Sequence, residues 1–521
     1  MKKIVITIIL FVSLYAGYAA NPKANFNVIP LPRTIEVGSS APFILNNRSK
    51  IYYEEGEERN ASFLQQYIFD ITGLKLKLTD KSQKNNVVSL VSKNNISGNS
   101  EKYILTVNKK EISITGNSSA GVFYGIQTLR KALPVIQTGK VEIPSSRVED
   151  CPRFSYRGVH LDVARHFFPV DSIKKYIDII ALHNANYFHW HLSDDQGWRI
   201  EIKSRPKLTS IGSCRSQTTG DGKPYCGFYT QEEIRDIVKY AQERYITIIP
   251  EIDIPGHSAA ALASYPELGC TGGPYKVCEV WSGPVDVLCA GKQETMRFLY
   301  DVFSEIVELF PSKYIHIGGD ECPKQRWQEC KRCQDKIKEL GIVSDSKHSA
   351  EQKLQSYIMA SVENFLAKKG RKVIGWDEIL EGGLGPDATV LSWRGMDGAI
   401  EAVNQGHDAI LSPTSHCYFD YDQEKITPID KVYSLIPLPE ELDSIKLSHI
   451  LGVQANVWTE YMPTFNRVQF MLLPRLAALS EVQWSVPERM NYGDFLQRLK
   501  HLSQIYDKYG YNYAKVISIL K

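Results

Sequence analysis

The chain has 521 residues, 43% of them hydrophobic and 23% charged, an ordinary globular balance with length for more than one domain. A formal net charge of +2 supplies no field for nucleic acid or an anionic membrane, so neither is an expected partner and a neutral ligand is favoured over a polyanion. Aromatic residues make up 11%; where their rings stand beside acids and glycines they suit a ligand with flat apolar faces and polar edges.

Met1-Lys2-Lys3, an apolar run from Ile4 to Leu14 and the small residues up to Ala20 read as a cleaved signal peptide over residues 1–20. The apolar run is short for a membrane anchor. The expectation is an exported protein, periplasmic or secreted, with no membrane span once the signal is removed. The ten cysteines, all at Cys151 or later, fit that compartment. Cys214 and Cys226 bracket one Gly-rich loop, and Cys270, Cys278 and Cys289 lie in another; their pairing cannot be read from sequence. Cys330-Lys331-Arg332-Cys333 has the spacing of a zinc or redox motif, but neither a second ligand pair nor a thioredoxin-like context is evident. Structural cysteines are therefore expected, with no metal and no cofactor. Asn47, Asn60, Asn95 and Asn117 each begin an Asn-x-Ser triplet, a glycosylation acceptor in a eukaryotic secreted protein and without meaning in a bacterial one; such triplets arise readily in this Asn- and Lys-rich stretch, which favours the second reading.

Residues 22–150 read as a small α+β supporting domain. Val87 to Val91, Tyr103 to Val107 and Glu111 to Thr115 are strand candidates, the last two alternating apolar and polar residues around a turn at Asn108-Lys109-Lys110. Ser119 to Leu133 has helical periodicity and stops before Pro134. No cluster of acids or histidines stands out here. From 151 to about 490 strand-like and helix-like segments alternate. Strand candidates end near Asp162, Ser193, Asp253, Gly318, Gly375, Ser392, Ser412 and Trp458. Helices are expected between them, the first with Asp171 as N-cap, others over 230–244, 294–309, 351–368 and 467–482. About eight such units predict an α/β fold built on a (β/α)8 TIM barrel. Residues 491–521 are expected to add a C-terminal helical segment, 492–508, packed on the barrel.

The strand ends carry the polar chemistry, where barrel enzymes keep it. Arg157 and Arg165 flank the first strand, each suited either to gripping two ligand oxygens or to a buried pair with Asp162. His189-Trp190-His191-Leu192-Ser193-Asp194-Asp195 ends the second, and Asp253-Ile254-Pro255-Gly256-His257 the third, with an Asp placed to orient the His across a short turn. The fourth is the most informative: a buried run into Gly318-Gly319, which let the backbone turn tightly, and then Asp320-Glu321. Trp376, Trp393 and Trp458 close the fifth, sixth and eighth, each beside a polar or charged neighbour, and together suit an aromatic box around a pyranose ring. Tyr418 and Asp420 follow the seventh strand, and Glu460 follows the eighth.

Glycoside hydrolysis usually needs two carboxylates that flank the bond, about 5–5.5 or 6.5–9.5 Å apart. Neighbours at one strand end would struggle to bracket a sugar. They suit an acid with a helper beside it, the nucleophile being another protein carboxylate or a 2-acetamido oxygen of the substrate itself. In the second case Asp320 would orient the amide and Glu321 would protonate the leaving oxygen, then activate water. A metal-dependent barrel hydrolase is the rival reading, on His189-x-His191, but no matching His–Asp set is seen downstream.

Taken together, these motifs resemble family 20 of the glycoside hydrolases, the β-N-acetylhexosaminidases, over most of the chain from about Asn27 to Ser485. The resemblance implies an exo-acting, retaining enzyme acting through an oxazolinium intermediate. Its substrate would be a glycan or glycoconjugate ending in β-linked GlcNAc or GalNAc, and its state a monomer or homodimer. It implies Glu321 as general acid/base, Asp320 as the group polarising the acetamide, and Tyr418 as the donor to the acetamido oxygen. Trp376, Trp393 and Trp458 would form the pocket; Arg165, Asp420 and Glu460 would hold ring hydroxyls; His257 with Asp195 and Asp253 would support Glu321.

Overall fold

In the computed structural model of the chain, residues 21–93 and 98–515 are described. The expected signal peptide and the Asn95 triplet lie outside the described residues. In the N-terminal part seven strands form one sheet, in spatial order Thr34–Val37, Ser146–Asp150, Tyr103–Val107, Glu111–Gly116, Val87–Ser92, Lys50–Tyr53 and Lys77–Thr79. The two strands expected to pair around Asn108 do so, with Leu105 opposite Ile114. Asn108 Oδ1 accepts from the backbone N–H groups of Lys110 and Glu111 at 2.8 and 3.1 Å, the local bond that makes asparagine a turn residue. Burial alternates along both strands. Helices Glu58–Thr72 and Ser119–Ala132 pack on this sheet. Asn60 is buried in the first of them and bonds Glu57 and Tyr245.

The strands Tyr156–Asp162, Tyr187–His191, Thr247–Ile254, Tyr314–Gly318, Lys372–Trp376, Thr389–Ser392, Ala409–Leu411 and Ile450–Ala455 are parallel and close into an eight-stranded barrel. Closure pairs Tyr156–Val159 with Gly452–Ala455. The fold is thus the expected (β/α)8 barrel preceded by a smaller α+β unit. Local departures have identifiable causes. The eighth strand stops at Ala455, short of Trp458; the chain then makes one further bridge, Asn456 to Tyr418. Pro169, not Asp171, precedes helix Val170–Leu182, and Asp171 falls in its first turn. The helix expected over 467–482 is two, Phe465–Leu472 and Arg475–Trp484, because Pro474 has no N–H with which to continue the first. Helix Tyr492–Tyr509 rests on more than the barrel: Arg498 pairs with Glu481 at 2.7 Å, and also reaches the Val28 carbonyl at 3.0 Å.

Cys214 and Cys226 are joined by a disulfide. Cys330 and Cys333 do have a second pair beside them, contrary to expectation: Cys270 and Cys289, remote in sequence, come to the same place.

The two arginines of the first strand part company. Arg157 points to the bottom of the barrel and binds Glu101 of the N-terminal part through two nitrogens, at 2.9 and 2.8 Å. It also donates to the carbonyls of Phe154 and Asn184, and not to Asp162. It is therefore a structural tie between the two units. Removing one partner of a buried pair leaves an uncompensated charge, at roughly 3 kcal/mol. Glu101→Ala is expected to lower the unfolding free energy by about that amount, seen as a lower urea midpoint at unchanged slope in unfolding followed by circular dichroism; an unchanged midpoint would mean that the tie contributes nothing.

Candidate active site

At the C-terminal end of the barrel lies a cavity of about 320 Å³, at the small end of the range for ligand pockets. Arg165, His257, Asp320, Glu321, Trp376, Trp393, Tyr418, Asp420, Trp458 and Glu460 all line it. Of the residues to which the resemblance gave a role, Asp195 and Asp253 stand behind the wall.

The floor is set by the double glycine. Gly318 and Gly319 have φ of +65° and +102°. A Cβ on the first would lie 1.7 Å from Asp253 Oδ1, and on the second 2.6 Å from Ile379 Cγ2. No larger residue fits, and the turn they permit sends two consecutive carboxylates in different directions. The Asp320 side chain is 13% exposed and that of Glu321 62%. Glu321 and His257 both hold left-handed backbone, φ +45°, a state that costs a non-glycine residue about 1–3 kcal/mol and persists where surrounding structure enforces it.

His257 stands between four carboxylates. Its Nδ1 is 3.2 Å from Asp194 Oδ1 and 3.6 Å from Asp195 Oδ2; its Nε2 is 3.7 Å from Asp320 and 3.8 Å from Glu321. The hydrogen-bond partner is thus Asp194, which corrects the expectation for Asp195. Asp195 sits further back and accepts from Ala259 N–H at 2.9 Å. Burial opposes a charge on His257, but Asp194 and Asp253 outweigh it and hold the ring's pKa well above the usual histidine range. Its Nε2 edge faces both pocket acids. Asp253 lies below, accepting from Gly319 N–H at 3.3 Å. Burial first, and then the Asp320 charge, push its pKa well up. Asp320 is also raised, chiefly by burial, with His257 pulling the other way. Among the described residues its Oδ1 has no hydrogen-bond partner although buried.

A charge network carries this arrangement into the barrel. Arg165 binds Asp194 at 2.9 Å and reaches Glu460 at 3.9 Å. His191 bridges Asp194 and Glu251. Glu251 also takes His189 at 3.0 Å, His316 at 2.8 Å and the indole N–H of Trp376 at 2.9 Å. The pair His189-x-His191 therefore serves a buried carboxylate, and neither ring lines the cavity.

The indoles form the walls. Trp376 and Trp458 lie 5.8 Å apart at 40°, and Trp393 stacks on Tyr418 at 6.1 Å. Arg165 lies over the Trp458 face at 5.0 Å. Three lining residues escaped the sequence reading: Trp281, Tyr421 and Tyr461. Trp281 comes from the long loop after the third strand, where no strand end marks it. Glu378 was also missed as a positioning group. It accepts from the Trp393 indole at 3.0 Å, and burial followed by the nearby Asp320 raises its pKa to about 8.

Such an acid opposes folding at neutral pH. Between about pH 4, where the unfolded glutamate loses its proton, and pH 8, the folded state binds more protons, so stability falls as pH rises. Glu378→Gln is expected to gain about 1–3 kcal/mol at pH 8 and close to nothing at pH 4, read by thermal unfolding at both. A gain equal at the two pH values would contradict the raised pKa.

Comparison with known proteins agrees with this geometry. The sequence profile of the catalytic domain of glycosyl hydrolase family 20 matches residues 154–487, and that of the family's domain 2 matches residues 25–151. A β-hexosaminidase of Porphyromonas gingivalis is 47% identical over 79% of this chain, which spans 54% of that longer protein. The structure of a family 20 β-N-acetylhexosaminidase from Streptomyces coelicolor superposes with a TM-score of 0.82 at 31% identity, covering 94% of this chain and 97% of its own. An exo-β-N-acetylglucosaminidase of Vibrio harveyi, in complex with N-acetylglucosamine, gives 0.85 at 31% identity over 95% and 79%. The chain belongs to glycosyl hydrolase family 20, and its barrel is the catalytic domain of such a glycoside hydrolase.

Proposed function

We propose that this protein is an exo-acting, retaining β-N-acetylhexosaminidase that removes terminal GlcNAc or GalNAc through an oxazolinium intermediate. The observation that carries the reading is Asp320: a buried carboxylate with one oxygen lacking a protein donor, beside an exposed acid and beneath an indole-walled cavity. A buried acceptor left unpaired is costly. An amide N–H from a 2-acetamido group supplies the missing donor. The modest cavity suits one terminal sugar and supports exo action.

In this reading the acetamido oxygen attacks C1 as the glycosidic bond breaks, and Glu321 gives its proton to the departing oxygen. Asp320 holds the amide N–H and offsets the positive charge that spreads over the ring being formed. Tyr418 donates its hydroxyl to the acetamido oxygen; its pKa is held well above the usual range, mainly by burial, so the proton stays on. Glu321, now ionised, takes a proton from water as that water opens the oxazolinium at C1. The His257 imidazolium, 3.8 Å from Glu321, offsets the carboxylate formed when that proton leaves. Arg165, Asp420 and Glu460 bind ring hydroxyls. With the nucleophile inside the substrate, its association is already complete before the barrier is climbed. The basic start and apolar run before Ala20 support export to the periplasm or the medium.

An aryl N-acetylglucosaminide is expected to be cleaved far faster than the matching 2-hydroxy glucoside, with thiazoline mimics of the intermediate inhibiting strongly. Equal rates on the two sugars would mean a protein nucleophile. For a substrate with a sugar leaving group, Glu321→Gln should lower kcat by about 10²–10⁴. Asp320 acts as an anion and its pKa is raised. The acid limb of kcat/KM should therefore lie above the ordinary aspartate value of about 4, activity falling as pH drops through it. An acid limb at or below that value would remove Asp320 from this role.

A further inference from the structure

Four cysteines meet outside the pocket. Cys270 and Cys289 come from the loop between the third barrel strand and helix Gln293–Leu309; Cys330 and Cys333 come from the loop after the fourth. All four Sγ atoms lie within 4.8 Å of one another. Cys289 is 3.6 Å from Cys333 and 3.8 Å from Cys330, and Cys270 is 3.8 Å from Cys333. A tetrahedron of thiolates around zinc, with Zn–S near 2.3 Å, has S···S edges of about 3.8 Å. Disulfide sulfurs would stand about 2.05 Å apart. The spacing is that of ligands around a common centre.

The backbone around the sulfurs is built to the same end. Cys330 caps the start of helix Lys331–Glu339 and Cys333 lies in its first turn, where the positive end of the helix dipole favours thiolates. A Cβ on Gly291 would come within 2.3 Å of the Arg332 carbonyl carbon and 2.7 Å of the Cys333 nitrogen, so only glycine lets the two loops approach this closely. Arg326 pairs with Asp286 at 2.7 Å, and the Trp327 indole donates to the Leu288 carbonyl at 2.9 Å, across the same seam. Cys289 and Cys333 are buried, Cys270 and Cys330 half-buried, the enclosure expected of a closed structural site with no open coordination position.

We propose that Cys270, Cys289, Cys330 and Cys333 bind one structural zinc ion. It clasps the loop that carries His257 and Trp281 to the loop that carries Asp320 and Glu321. The site is separate from the pocket, and this inference does not depend on the reaction proposed above. The sequence motif at Cys330 and Cys333 is one half of it; the other half is assembled only by the barrel.

The test is metal analysis of the full chain, purified without metal-affinity resin, together with a count of thiols in denaturant containing chelator. About one zinc per chain is expected, with eight reactive thiols, since only Cys214 and Cys226 are bonded. A mercurial reagent should release the metal to a colorimetric zinc indicator, with a downward shift of the melting temperature. The double variant Cys330→Ser/Cys333→Ser should lose the zinc, whereas Cys151→Ser should keep it. Should the double variant fail to fold, the zinc and thiol counts of the parent protein still decide. A parent protein without stoichiometric zinc, whether it shows four reactive thiols (two further disulfides) or eight, would overturn the proposal, as would iron in its place.

Discussion

The need to match buried charge governs this molecule. A carboxylate taken out of water must find a cation or a hydrogen-bond donor, and the top of the barrel is arranged around that rule. Arg165, Asp194, His191, Glu251 and His316 form a chain in which each acid lies against basic groups, drawn from four consecutive strands or their ends. His257 extends it to Asp320 and Glu321. Because the links are polar and enclosed, displacing one leaves its neighbour unpaired, so the geometry is stiff. Trp376 is part of the same lattice through Glu251, which ties the position of a pocket wall to the electrostatics beneath it. At the head of the chain one oxygen of Asp320 has no hydrogen-bond partner among the described residues, and the catalytic reading rests on it.

Much of this could be read in the sequence. Barrel strands end where the chain changes from apolar to polar, and seven such ends send at least one named residue into the cavity. The adjacency of Asp320 and Glu321 was visible, and so was the glycine pair that turns them apart. What was hidden depends on register and distance. Asp194 and Asp195 are neighbours with identical side chains; the small antiparallel pairing of Ser193-Asp194 with Gly197-Trp198 orients them, and no local pattern announces it. Glu378 stands two residues after Trp376, but its bond to Trp393 joins the ends of two different strands. Trp281 lies in a long loop where periodicity has nothing to say. The four-cysteine cluster joins residues separated by a whole βα unit. Pro474 is a different case: the break it makes in the helix was written in the residue itself.

Two strained residues, His257 and Glu321, sit one on each of the loops that the cysteine cluster brings together. Left-handed backbone relaxes unless the flanking chain is fixed. On one side fixing comes from strand ends and the glycine turn. On the other it comes from the seam at Arg326, Trp327 and the four sulfurs. The pocket thus has rigid supports on both its core and its outer side, which is how a site holds reacting groups in place without relying on the ligand to order them.

The contrast in exposure between Asp320 and Glu321 has a consequence for selectivity. The inner acid is enclosed, whereas the outer one stands at a rim open to bulk water. In the reaction proposed above, whatever hangs from the far side of the scissile oxygen would therefore meet solvent before it met protein. Discrimination would then be vested in the terminal unit, and the remainder of the substrate, whether lipid, peptide or further carbohydrate, would pass nearly anonymous.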